Sequence, residues 1–318
     1  MAALVPRVQE GLMQRFIAKR FLQSLLALWV MSLIVFSLAR ITGDPLDVLL
    51  PLEAGPEEYE RVSKHWGLDR PLYVQYFVFL GKAVRGDFGN SWKWQGETAM
   101  GLVWARLPAT LQLAGFALAI SVVIALPIGV LAAVMKGSSW DTAAKIIALL
   151  GQSLPAFWLG IVLMWIFAVH LGWFPTSGRG GIQYMILPAI TLGWFQVAAM
   201  MRLIRSSMLE VLDSEFVKLT RVKGLAEWKV VWKHCLRNAA IAPLTFFAII
   251  AGVLMTGAVV TESVFSWPGT GLLVVDAVRA RDFQVVQAVV IVFAGIFIFT
   301  NLVVDVLYAY LDPRIRYQ

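Results

Sequence analysis

The chain has 318 residues, of which 59% are hydrophobic and 15% charged, with a mean hydropathy of +0.74. So little polar surface excludes a soluble globule of this length and puts the chain in a bilayer. The net charge of +7 and the pI near 9.6 follow from membrane topology; nucleic-acid binding would call for a basic stripe on a soluble module.

Apolar runs at about 21–39, 109–135, 146–171, 184–201, 239–261 and 284–310 predict an all-α integral membrane protein with six transmembrane helices. Eighteen residues of helix already span roughly 27 Å. The first run follows Arg15, Lys19 and Arg20 and ends in Ser37-Leu38-Ala39, the outline of an export signal. It exceeds the usual apolar core of about 7–15 residues and five more runs follow, so it is read as a retained span.

Residues 40–108 are soluble in composition, with nine acids, eight bases and turn signals at Gly55-Pro56, Arg70-Pro71 and Gly86-Asp87. Helices are expected around 56–66 and 71–84. A docking surface or gate and an inert cap held by interfacial aromatics are both open readings of this segment.

Pro127, Pro155, Pro188 and Pro243 interrupt four of the runs, which membrane helices tolerate where neighbours or a cavity satisfy the freed carbonyls. Gln196, Thr256, Thr261 and Asn301 are the polar candidates for lining a lumen, and no ionisable relay stands at mid-membrane depth.

Between the fourth and fifth runs lies a charged insert. Asp213-Ser214 precedes Glu215 as a helix N-cap, Lys223 falls in the last turn, and Gly224 suits a left-handed stop. A second helix from about 226 is expected to gather Trp228, Val231, Trp232 and Cys235 on one face. The pattern fits a groove on a cytoplasmic partner or a basic amphipathic segment lying on anionic lipid.

Sixteen Lys and Arg residues in the termini and short loops fall on one side, including Lys136, Lys145, Arg202 and Arg205. Arg179, Arg279 and Arg281 fall on the other. Both termini and the 202–238 loop are therefore expected in the cytoplasm, with 40–108 outside. The single cysteine, Cys235, excludes an internal disulfide framework.

No phosphate-binding G-x-x-x-x-G-K-[ST] loop is present, and "GRGG" at 178–181 and "PGTG" at 268–271 lack the lysine. His65, His170 and His234 fall on separate loops, which supports neither a metal site nor a nucleophile triad. No catalytic residue and no metal ligand is expected, which weighs against a membrane enzyme. A receptor that docks a soluble partner without moving solute is the other alternative.

"EFVKLTRVKGL" at 215–225 and "KHCLRNA" at 233–239 resemble the EAA loop of permease subunits of binding-protein-dependent ABC importers, in the branch that carries dipeptides and oligopeptides. "GDP" at 43–45, "GLDRPLYVQY" at 67–76, "RLPATLQL" at 106–113, "ESVFSWPGTG" at 262–271, "RARDFQVVQ" at 279–287 and "LDPRIRY" at 311–317 extend the resemblance along the chain. Leu219, Thr220, Val222 and Thr270 depart from the usual pattern.

The resemblance implies a type I importer permease with an EAA coupling helix. Glu215, Lys218, Arg221, Lys223, Gly224, Leu225, His234, Arg237 and Asn238 would form its contact with an ATPase. Glu262, Trp267, Pro268, Gly269 and Gly271 would form an external docking loop or gate. It further implies a second homologous permease, two cytoplasmic ATPases that bind ATP and Mg, and an external solute-binding protein. Membrane lipid is the remaining partner, and the setting is the bacterial inner membrane. Residues 1–106 are expected to form the first span with its external segment, and 107–318 the five-helix permease domain with a coupling loop at 206–238.

Overall fold

The computed structural model describes residues 5–41 and 54–311, and "GDP" and most of "LDPRIRY" lie outside them. The described residues are helical apart from turns and one isolated antiparallel bridge between Asn90 and Thr98. In chain order the helices are α1 (Val5–Ile41), α2 (Pro56–Trp66), α3 (Leu72–Ala83), α4 (Ala99–Val134), α5 (Ser139–Ser153) and α6 (Ala156–His170, ending in a π-helical stretch). Then follow α7 (Gln183–Leu212), α8 (Glu215–Val222), α9 (Glu227–Ala239), α10 (Ile241–Gly257), α11 (Val259–Val264), α12 (Thr270–Arg279) and α13 (Phe283–Leu311).

Four described helices are long and apolar enough to cross a membrane unaided: Ile17–Ile41, Ala99–Val134, Gln183–Leu212 and Phe283–Asp305. The run expected as one helix over 146–171 is instead two helices, α5 and α6, bent by 107°. Pro155 causes the break. It disfavours helical backbone at the residue before it, and Leu154 is extended at ψ 125°. The other three prolines lie inside helices. Pro243 sits in the first turn of α10, where a missing N–H leaves no bond unmade.

The chain forms two compact units, residues 1–108 with 269–318, and residues 109–268. In the first, α2 starts with Pro56 at its first position and ends on Gly67 at φ +66°, both suited to those sites. The Ser32 and Tyr76 hydroxyls, 2.9 Å apart, tie α3 to α1. Buried Asp282 accepts from the Ser91 hydroxyl at 2.5 Å and from the backbone N–H groups of Trp92 and Lys93 at 3.0 and 3.2 Å. That carboxylate anchors the loop after α3 to the start of α13.

In the second unit the core lies between α4, α5 and α7, with Ala125, Val130, Ala148, Ala198 and Met201 buried in one cluster. Helix backbones approach closely where side chains vanish. A Cβ on Gly193 would stand 2.9 Å from the Ala117 carbonyl oxygen, and one on Gly129 would stand 2.9 Å from that of Met201.

Candidate functional site

Helix α7 continues past its apolar run to Leu212 and so carries Arg202 and Arg205 out to the insert. Ser214 then turns extended (φ −75°, ψ 151°) and α8 begins at Glu215, the expected boundary. The capping is by backbone alone, because the Ser214 hydroxyl donates to the Val211 carbonyl instead of accepting from α8. Fully buried Val217 roots α8 in a cluster with Met208, Val230 and Cys235. Gly224 stops the helix at φ +73°, its N–H bonded to the Arg221 carbonyl at 2.9 Å.

The second arm, α9, differs from the expected amphipathic helix. Its middle, Val230–Cys235, is π-helical. The wider turn brings i and i+5 onto one side, so Val230, Val231 and Cys235 are buried while Trp228 and Trp232 are 64% and 41% exposed. The two tryptophans therefore do not share the buried face. Across the Gly224 turn, Arg221 donates to Glu227 through Nη2 at 2.6 Å and Nε at 3.2 Å. The guanidinium holds the Glu227 carboxyl below its ordinary pKa.

The insert's expected contact residues lie on this hairpin. Glu215 pairs with Lys218 at 2.7 Å, and both are exposed, as are Lys223, Leu225, Arg237 and Asn238. His234 is half-buried, and its carbonyl accepts from Asn238 Nδ2 at 2.8 Å. The departures at Leu219 and Val222 leave exposed apolar side chains on the hairpin, 61% and 84% exposed. Their signal was an apolar residue standing where the resembled pattern has a small or polar one. The hairpin is thus rooted by valines and presents apolar and charged groups outward.

The group expected as an external docking loop is buried. Glu262 and Trp267 are 0% exposed, Gly269 and Gly271 are also buried, and Pro268 is half-buried. Thr110 donates to Glu262 Oε1 at 2.7 Å, and Trp267 Nε1 donates to the Ala109 carbonyl at 2.9 Å. The resemblance gave this stretch to an external docking loop, but bonds to residues about 150 positions away hold the Glu262 and Trp267 side chains inside.

Of the lumen candidates, half-buried Gln196 and buried Thr261 line one cleft of about 390 Å³ with Pro155 and Trp194. Half-buried Asn301 donates to Phe297 of its own helix at 2.9 Å. The Thr256 side chain lies outside the described residues.

One cluster was missed altogether. Asp141, 1% exposed, accepts from Arg205 Nε and Nη2 (2.6 and 2.9 Å), Lys145 Nζ (2.9 Å) and the Gly137 N–H (3.0 Å). Its sequence signal was the capping box Ser138-x-x-Asp141, in which the Ser138 hydroxyl accepts from the Asp141 N–H at 3.3 Å.

Residues 125–317 match the family model described as binding-protein-dependent transport system inner membrane component, and residues 13–114 match its N-terminal companion. The chain belongs to this permease family. The glutathione transport system permease GsiC of Escherichia coli K12 is 40% identical to this permease, over 96% of this chain and 100% of its own. The dipeptide permease DppB of Alkalihalophilus pseudofirmus (35%) and the di/tripeptide permease DppB of Pseudomonas aeruginosa (37%) have the same coverage. A chain from inward-facing structures of the MetNI methionine ABC transporter aligns with a TM-score of 0.51 at 19% identity, covering 64% of this permease and 95% of itself, a likeness of fold. The family and the long apolar helices make this a multi-pass membrane permease, and its relatives are transport subunits.

Proposed function

We propose that this permease is a translocation subunit of an ATP-driven importer for short peptides or glutathione-like solutes. Six spans serve it, the four long helices, the bent α5–α6 pair and α10, with both termini in the cytoplasm and 40–108 outside. Residues 107–318 form the permease domain proper. A second permease completes the path, an external solute-binding protein delivers the solute, and two cytoplasmic ATPases bind ATP and Mg. Gln196 and Thr261 border the path.

The observation that carries the reading is the α8–Gly224–α9 hairpin. It is rooted in the helix core through Val217 and Val230 and offers Leu219, Val222 and Trp228 to a partner. Load applied to such a hairpin moves α7, where a loose loop would yield. The names of the relatives support the solute class.

Purified complex in liposomes loaded with Mg-ATP, with the binding protein outside, tests this. Labelled dipeptide, tripeptide or glutathione should accumulate only when ATP and binding protein are both present. Copurified ATPases that hydrolyse ATP without accumulation of any of the three would overturn the proposed solute class.

A further inference from the structure

Two cavities adjoin in the unit of residues 1–108 and 269–318, sharing Ala39, Phe283 and Gln287 in their walls. The first, about 350 Å³, takes its charged lining from Arg40, Lys64, Arg70 and Lys82, with no acid among its described lining residues. The second, about 360 Å³, is walled mainly by apolar side chains, among them Met31, Val35 and Leu38 of α1 and Val286 and Val290 of α13. We propose that this pair of cavities holds one phospholipid, its headgroup phosphate among the cations and an acyl chain along the apolar groove.

The dimensions fit. From Ala39 back to Met31 is eight residues, roughly 12 Å of helix, and from Phe283 to Val290 roughly 10 Å. One leaflet's hydrocarbon is about 15 Å deep, so the groove follows most of an acyl chain's depth. The cationic cavity lies where the apolar span of α1 ends at Ile41, the level at which basic side chains meet lipid phosphates. Arg40 is set there over the Phe36 ring, 5.2 Å from its centroid. Lys64 also meets Glu60 at 3.4 Å, so Arg70 and Lys82 carry most of the attraction.

The wall further selects the headgroup. Gln75 Nε2 donates to the Leu68 and Arg70 carbonyls at 3.0 and 2.8 Å, fixing the turn between α2 and α3. Its Oε1, like Gln284 Oε1 and Trp92 Nε1, is buried without a partner among the described residues. Two waiting acceptors and one donor suit a phosphate ester that itself donates, as glycerol and ethanolamine headgroups do. Choline has no N–H or O–H to offer. The inference rests on the membrane setting alone and stands apart from the solute reading.

Native mass spectrometry of the full-length permease, in the complex it purifies with, tests the site. Phosphatidylglycerol, phosphatidylethanolamine and phosphatidylcholine are titrated in turn, with free glycerol 3-phosphate as competitor. The first two lipids should bind more tightly than the third, and glycerol 3-phosphate should not compete. Lys82→Gln should weaken binding about five-fold, and Val286→Trp, which fills the groove, should weaken it too. Leu149→Trp, at an exposed position in the other unit, should leave it unchanged. Lys82 is exposed, so its variant keeps the test valid if the groove variant fails to fold. Binding blind to headgroup and to both variants would mean only surrounding lipid, and effective competition by glycerol 3-phosphate would mean a free-phosphate site. Either result overturns the proposal.

Discussion

Arg205 grips Asp141 with two nitrogens, Nε at 2.6 Å and Nη2 at 2.9 Å, and so bolts the start of α5 to α7 across 64 positions of sequence. Planar two-point contact of this kind is specific to arginine. Arg205→Lys should therefore lower the thermal midpoint although charge is kept, and Asp141→Asn should lower it further by leaving Arg205 and Lys145 facing an amide. Tryptophan fluorescence melts of the purified protein measure this, and unchanged midpoints in both variants would remove the bolt from the account.

Gly224→Ala should weaken coupling more than folding. No atom lies within 4 Å of the added Cβ, so the cost is the left-handed φ of +73°, about 1 kcal/mol. ATP hydrolysed per solute imported, measured in proteoliposomes, should rise while the melt stays nearly constant. Unchanged stoichiometry would show that the turn does not transmit load.

Gly193 meets α4 where no side chain fits, with Ser121 Oγ and the Ala117 carbonyl oxygen 2.8 and 2.9 Å from a built Cβ. Gly193→Ala should cost about 1–3 kcal/mol by pushing the helices apart. Gly193→Leu should not fold at all. Fluorescence-detected size-exclusion profiles separate the outcomes, and a sharp native peak for the leucine variant would refute the close contact.

Trp267→Phe keeps an aromatic ring but loses the bond to the Ala109 carbonyl and part of the indole's volume, at a cost of about 1–3 kcal/mol. Trp267→Ala should cost about 3–5 kcal/mol by emptying a fully buried site. Chemical denaturation gives both values, and near-equal losses would mean that the indole's volume contributes nothing.

Hydropathy made the long helices legible, and a local stop signal marked the end of α8, because Gly224 acts on its own neighbours. The 107° bend was hidden because 146–171 is apolar on both sides of Pro155, and composition does not record direction. The burial of Glu262 and Trp267, which the resemblance gave to a docking loop, was hidden for a different reason. The groups that bury them, Thr110 and the Ala109 carbonyl, stand about 150 residues earlier, beyond any local pattern. Trp228 and Trp232 were misplaced because a period of 3.6 was assumed where the backbone winds wider.

That wider turn carries slack. A π-helical stretch such as Val230–Cys235 takes up more residues per turn than an α-helix. Losing one residue there would let the arm rewind as ordinary α-helix with its far end, Leu236–Ala239, still pointed at α10. The same loss within α7 would swing everything after it by about 100°. Length differences among related chains should therefore collect at this point of the insert, which makes it the natural place to splice a coupling hairpin from one transporter into another.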